Sequence, residues 1–249
     1  MNKRCFFSIA DNRNLPYFKM MEASLRKFDK TTPLILIDEA KITQLGDPHF
    51  FYRSTPIITK ALMKDYNMVC HIDADVLVLG NLDHVWEGDY DLAVTYNSNP
   101  RDDAKYPIRL LDIHPYSYCN NGFNVFKSKA FIDQWLKLCM SDHFLNFQYR
   151  EQDLLNILIY YFSEPFGGPY KVKFLDNGPK WHNLASKGYT PYTKMVDGKV
   201  ILPKSEEWPK EDKQLVAYHF AGGFSSAKMK YRLIFPNDVI QFIDNLVKP

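Results

Sequence analysis

Long apolar runs are what this sequence most plainly lacks. Of its 249 residues 46% are hydrophobic, yet no stretch approaches the roughly 20 consecutive apolar residues that cross a bilayer. The opening MNKRCFFSIA is basic and then apolar, but Asp11, Asn12, Arg13 and Asn14 interrupt it before a signal sequence forms. The expectation is a soluble, cytoplasmic chain with no transmembrane segment. Charge of one sign is missing too: 31 basic residues stand against 29 acidic ones. Without a net field, neither nucleic acid nor an anionic membrane is indicated as a partner.

Cysteine is scarce, and Cys5, Cys70, Cys119 and Cys139 form no C-x-x-C pair, which excludes a structural zinc site of the usual spacing. Three of them lie in apolar contexts and read as buried thiols. Glycine is sparse where a nucleotide fold would need it. No G-x-G-x-x-G follows an early strand, and the first loop, SIADNRN, is not glycine-rich; a dinucleotide-binding dehydrogenase and a sugar nucleotidyltransferase are both disfavoured. Repeats and low-complexity tracts are absent as well. One globular unit of α/β type remains.

What is present centres on CHIDADVLVLG, Cys70 to Gly80. An apolar run broken by Asp73 and Asp75 reads as a buried strand that sends both carboxylates to one side, with Ala74 opposite. Two neighbouring acids repel unless a cation lies between them, and a divalent ion with oxygen ligands meets that need. His71 alternates with Asp73, but a single histidine in an apolar run reads as a packed, hydrogen-bonded residue. Far downstream, HFAGGFSSAK supplies His219 and Lys228. Two carboxylates and an imidazole make a divalent site that favours Mn²⁺ over Mg²⁺.

The remaining pattern surrounds that site. Cys5 to Ala10 and Leu34 to Ile37 read as strands, and Leu15, Phe18, Met21, Leu25 and Phe28 mark a helix between them. Ser54-Thr55-Pro56 starts a second helix with Lys60 one turn inside. Leu92 to Tyr96 and Tyr118 to Lys127 read as strands, separated by a polar loop with Arg101, Asp102 and Asp103. Lys129 to His143 and Glu151 to Phe162 read as helices, the second apolar nearly all round after Glu151-Gln152-Asp153. Acids in a first turn suit the helix dipole; Gln152 has no such explanation. From Tyr170 short strands and loops form an appended lobe over the sheet's functional edge, with Leu215 to Phe220 as the last strand and Asn237 to Val247 as a closing helix.

HIDADVLVLGNLD, YCNNGFNVFKS, EQDLLN and HFAGGFSSAK, in that order, resemble the signatures of GT-A glycosyltransferases, nearest to the retaining glycogenin and lipopolysaccharide-galactosyltransferase type. The resemblance implies a single Rossmann-like domain over 1–249. Its central sheet is mixed and mostly parallel, its nucleotide-binding half covers about 1–96, and its acceptor-binding half with the C-terminal lobe covers 97–249. It implies a nucleotide-sugar donor, UDP favoured, held by Ala10, Asp11, Asn12, Lys60, Asp73, Ala74, Asp75 and Lys228, with Asp73, Asp75 and His219 as metal ligands. Asn120, Asn121 and Gly122 would lie beneath the transferred sugar, with Gln152 facing the anomeric carbon and Asp153 the sugar hydroxyls. Trp181, His182 and Asn183 would meet a glycan, lipid-linked or protein acceptor. The family's lysine is usually followed by proline and tryptophan, whereas Met229-Lys230-Tyr231 follows Lys228 here. Two other readings stand beside it. A haloacid-dehalogenase phosphatase also uses D-x-D, but with threonine or valine where Leu77 stands; a binding protein on the same fold would have lost turnover.

Overall fold

In a computed structural model of the chain, which describes residues 3–44, 53–97, 117–182, 189–206, 209–220 and 230–248, a six-stranded sheet organises the core. The chain enters on β1 (Arg4–Ala10), returns along α1 (Leu15–Phe28) and lays β2 (Leu34–Asp38) parallel beside β1, with Ala10 opposite Asp38. Helix α1 covers the span its apolar spacing predicts: Phe18, Met21 and Leu25 are buried, and Arg26 and Lys27 sit in the last turn, where cations meet the negative helix end. The short α2 (Glu39–Gln44) and α3 (Ser54–Leu62) follow, then β3 (Met68–Ile72), parallel to β1 on its other side and buried throughout.

The chain then leaves the central sheet. β4 (Val76–Val78) belongs elsewhere, and β5 (Leu92–Tyr96) and β6 (Cys119–Phe126) return as antiparallel strands, β6 between β3 and β5. Ser128 caps α4 (Lys129–Cys139) by accepting from the Phe131 amide. This helix is shorter than its periodicity suggested, because a 3₁₀ turn takes over at Asp142. α5 (Glu151–Phe162) precedes β7 (Val172–Phe174), parallel to β5. The strand order is β2-β1-β3-β6-β5-β7, with three of the five pairings parallel. It is a mixed sheet flanked by helices, as expected.

Alternation divides the core between the faces. Phe7 and Val69 pack with Ile58 of α3, Trp135 of α4 and Leu155 and Ile159 of α5. Phe6 and Cys70 turn to the other face, against Phe18, Met21 and Leu25 of α1. A four-stranded sheet of β8 (Lys180–Trp181), β9 (Lys194–Val196), β10 (Lys199–Leu202) and β11 (Lys213–Leu215) builds the C-terminal lobe, with α6 (Lys230–Ile234) and α7 (Asn237–Leu246) closing the chain. The expected strand Leu215 to Phe220 is two strands: β11 stops before Val216, and β12 (Ala217–His219) pairs antiparallel with β4. β4 is the seam. Val76 and Val78 face the α1 core while Leu77 and Leu79 face the lobe with Tyr218, Phe235 and Ile243. Burial on both sides explains why VLVL has no polar alternation. All four cysteines are buried free thiols, and no helix among the described residues is long and apolar enough to cross a membrane.

Candidate active site

Asp73 and Asp75 do not stand on one continuous strand. β3 ends at Ile72 and β4 begins at Val76, so Asp73-Ala74-Asp75 is the turn between two sheets, closed by the Val76 amide donating to the Asp73 carbonyl at 3.1 Å. The Asp73 amide donates to Gly122 O of β6 at 2.8 Å. What brings the acids together is therefore turn geometry, not the two-residue repeat of a strand. His219 arrives through the β4–β12 ladder: it lies opposite Val76, and the Phe220 amide donates to the Asp75 carbonyl at 3.0 Å. His219 Nε2 then stands 3.1 Å from Asp75 Oδ1 and 3.4 Å from Asp73 Oδ2. One ligand atom from each of the three residues falls within 4.8 Å of the others.

Asp75 and His219 are buried, and Asp73 is half-exposed. Burial by itself disfavours the Asp75 carboxylate, but the neighbouring imidazole outweighs it and holds the group below its ordinary pKa. Burial likewise opposes charge on His219, while Asp75 and then Asp73 raise it. These donors fit one divalent ion: two carboxylates supply negative charge, and an imidazole nitrogen suits Mn²⁺. Gly122 permits the approach. A Cβ built there would lie 2.5 Å from His219 Cε1 and 2.8 Å from its Nδ1.

Beside the cluster is a cavity of about 370 Å³ walled by Thr55, His71, Asp73, Asn121 and residues 148–152, a size suited to a small polar ligand. Asn121 is the hub of its floor. Its amide donates to Gln152 Oε1 at 2.9 Å, its Nδ2 to Glu151 Oε1 at 2.8 Å and Thr55 Oγ1 at 3.1 Å, and its Oδ1 accepts from Asn124 at 2.9 Å. Its carbonyl oxygen is 2.8 Å from His71 Nδ1. With both Nδ2 protons engaged, Asn121 orients its neighbours. Asn120 Oδ1 accepts from the Gly122 amide at 2.7 Å.

The first turn of α5 carries three different polar groups. Gln152 lines the cavity, and its Nε2 donates to Tyr118 Oη at 3.2 Å. Asp153 is fully buried, accepting from Tyr118 Oη at 2.6 Å and from the Tyr149 amide at 2.8 Å. Glu151 is buried against Thr55, whose hydroxyl donates at 3.0 Å. Burial pushes Glu151 up to about 8 and Asp153 up to about 6, although their hydrogen bonds pull the other way. Arg150 enters the helix at φ 49° and ψ −117°, a conformation that costs a non-glycine residue about 1–3 kcal/mol; its guanidinium donates to Phe147 O at 2.8 Å and to Leu145 O.

The raised acids set a pH dependence. The folded protein holds these two protons more tightly than the unfolded chain, so their contribution to stability is complete below the ordinary carboxyl range. It is lost as pH rises through about 6 for Asp153 and about 8 for Glu151. Between pH 6 and 8 the melting temperature of Glu151→Gln should therefore fall less than that of the wild type; parallel curves would show that Glu151 holds no proton there.

The other sequence-derived positions divide. Ala10 is buried at the end of β1, Asp11 Oδ1 accepts from the Asn14 amide at 2.9 Å, and the Asn12 amide donates to Glu39 at 3.2 Å; their neighbours Ile9 and Asn14 line the cavity. Ala74 is buried within the turn. Lys60 is not brought to the cavity: its Nζ pairs with Asp133 at 2.7 Å and lines a separate hollow with Met63, Lys64 and Lys129. Trp181 packs in the lobe core, and His182 is buried with Nδ1 3.0 Å from Asp176 and Nε2 2.6 Å from His84 Nε2. Arg101, Asp102, Asp103, Asn183 and Lys228 lie outside the described residues. Conversely, Thr55, Tyr118 and Glu151 belong to the network without a distinctive local pattern; only the adjacency of Glu151 to Gln152 hinted at it.

A family model described as "Glycosyl transferase family 8" matches residues 14–224. No curated protein matches the chain. Among solved structures, the galactosyltransferase LgtC in complex with donor and acceptor sugar analogs is 16% identical with a TM-score of 0.58, covering 98% of this chain and 96% of that one. The apo bifunctional glycosyltransferase WbbM is 15% identical with a TM-score of 0.56, over 98% of this chain and 50% of its own. A glycosyltransferase involved in glycosylation of the major capsid of PBCV-1 is 14% identical with a TM-score of 0.51, over 92% and 98%. At such identities these likenesses show a shared fold.

Proposed function

Because the chain belongs to glycosyl transferase family 8 and is thereby a glycosyltransferase of the GT-A fold, we propose that it moves a hexose from a UDP-sugar to a hydroxyl acceptor. The acceptor is a glycan, lipid-linked glycan or protein, the metal is Mn²⁺ with Mg²⁺ as alternative, and configuration is retained. The observation that carries this reading is that Asp73 belongs both to the Asp73-Asp75-His219 cluster and to the wall of the cavity with Gln152.

A divalent ion bound there would supply charge neutralisation for the diphosphate leaving group. Asp73, Asp75 and His219 would hold it. Tyr118 Oη donates to the Asp153 carboxylate, so it accepts from Gln152 Nε2 and leaves Gln152 Oε1 on the Asn121 side. The second lone pair of that oxygen stabilises positive charge at the anomeric carbon. Asp153 thus acts as a positioning residue. Retention is supported by the placing of the neighbouring acids: Asp153 is fully buried against Tyr118 Oη and the Tyr149 amide, and Glu151, buried against Thr55 and Asn121, holds its proton up to about 8, so neither is presented as a base. The acceptor oxygen attacks from the face the diphosphate leaves, and its proton passes to the departing phosphate oxygen. The new C–O bond forms as the old one releases its electrons to phosphate.

A screen of UDP-, GDP- and TDP-sugars should show Mn²⁺-dependent hydrolysis of a UDP-sugar; turnover of a different nucleotide class alone would overturn the donor assignment. Gln152→Ala should keep UDP affinity while turnover of that donor falls about a hundredfold, the order seen when one transition-state dipole is lost. Unchanged turnover would remove Gln152 from the chemistry.

A further inference from the structure

Arg150 is bent where an arginine has no local reason to bend. Among the described residues two other than glycine hold a positive φ, Arg150 at 49° and Asp197 at 47°. Asp197 stands with Gly198 in the two-residue hairpin between β9 and β10, where a left-handed pair is the ordinary turn. Arg150 instead opens α5, and its ψ of −117° lies outside the left-handed helical well as well. Glycine enters such backbone easily, so an arginine there calls for a compensating contact. Its own side chain supplies one. The terminal nitrogen Nη1 carries two protons and turns back to donate to Phe147 O at 2.8 Å and to Leu145 O. That grip closes the segment 145–150 on itself, and Gln148, Tyr149 and Arg150 of the segment wall the cavity.

We propose that Arg150 is a positioning residue for Gln152: its clamp on the Leu145 and Phe147 carbonyls holds the strained turn that aims the Gln152 amide into the cavity. The path between them is short. The Tyr149 carbonyl accepts from the Gln152 backbone amide at 3.0 Å, the Tyr149 amide donates to Asp153 at 2.8 Å, and the Arg150 carbonyl accepts from Leu154 at 3.2 Å. The first turn of α5 thus takes its direction from the backbone at 149 and 150, with no side-chain cap of the usual kind. From that turn Gln152 Oε1 meets the Asn121 amide at 2.9 Å and Nε2 meets Tyr118 Oη at 3.2 Å. If the turn relaxes the side chain shifts, and a misplacement of about 1 Å costs up to about a hundredfold in rate. This assignment rests on the glycosyltransferase reading of the cavity and adds a residue that acts through Gln152.

The test measures kcat, KM and UDP affinity on the UDP-sugar found active in the screen, for the wild type, Arg150→Ala, Arg150→Lys, Gln152→Ala and the double variant of Arg150→Ala with Gln152→Ala. Arg150→Ala should lose about tenfold or more in kcat with KM and UDP affinity held. Arg150→Lys, which returns a donor to the two carbonyls, should regain part of that loss. In the Gln152→Ala background the Arg150→Ala change should cost almost nothing further, because a residue that acts through an amide has no effect once the amide is gone. Thermal melting should place Arg150→Gly above Arg150→Ala, since glycine takes a positive φ without strain. Retained UDP affinity reports that the variants are folded. Losses that multiply in the double variant would overturn the assignment, and so would weaker UDP binding at unchanged kcat, which would make Arg150 a contact of the diphosphate. Equal melting of the glycine and alanine variants would overturn it too, since no strained turn would remain for the clamp to hold. Failure of the wild type to turn over any sugar nucleotide would instead overturn the functional reading beneath it, and the melting order would still test the turn.

Discussion

Asp75→Ala is expected to abolish the stabilisation that UDP with Mn²⁺ confers and to reduce sugar transfer by at least about a hundredfold. Asp75 is 6% exposed and stands 3.1 Å from His219 Nε2, so its loss removes one of the three proposed ligands and leaves the buried imidazole without its nearest counter-charge. Partial compensation by Asp73 is poor, because that carboxylate is farther from His219 and half-exposed. Ligand at a hundred times its dissociation constant stabilises a folded protein by about 2.7 kcal/mol, a shift that thermal melting resolves readily. The wild type should show it only with UDP and Mn²⁺ together, and Asp75→Ala should not show it at all. Asp75→Asn keeps the shape while removing the charge, and should behave like the alanine variant. An undiminished shift in either would end the reading of this cluster as the metal site.

Gly122→Ala should weaken Mn²⁺ binding by about tenfold to a hundredfold, the range expected when the support of a metal ligand is disturbed. The cause is space: the added methyl would lie 2.5 Å from His219 Cε1 and 2.8 Å from Asn120 Oδ1. The strand cannot yield easily, because its Gly122 carbonyl accepts from the Asp73 amide and its amide donates to Asn120. The ring must therefore swing away from Asp75, against the ladder that sets it opposite Val76. Overpacking of this kind costs about 1–3 kcal/mol, so a folded protein with a defective metal site is the expected product. Titration of Mn²⁺ into the variant checks it, with circular dichroism confirming the fold; wild-type affinity would mean that His219 repositions freely.

Both predictions concern a site whose parts are fixed by buried polar contacts. Asn121 joins β6 to α3 through Thr55, to α5 through Glu151 and Gln152, and to β3 through His71. Such a network is costly where incomplete and rigid where complete. It sets the Gln152 amide and the His71 ring in one arrangement before any ligand arrives, which is how a turnover site limits reorganisation during reaction.

Much of this was legible without coordinates. The apolar spacing of Leu15 to Phe28 and the apolar wrap of Glu151 to Phe162 predict α1 and α5 over their observed spans, because helical periodicity is written into neighbouring residues. The order of the four motifs was legible because each is a short contiguous string, and with it the family. The tertiary structure alone decided how those motifs meet. Asp73 and Asp75 sit in a turn because β4 leaves the central sheet to pair with β12, a partner about 140 residues away. Lys60 turns to Asp133 instead of the cavity, and His71, which looks like packing in its own strand, shares the carboxylate of Asp73. Local sequence determines which stretches are helix, strand or turn through the periodicity of burial. The register between distant strands depends on which backbone groups find partners once the core has closed, and that register is what places His219 beside Asp75.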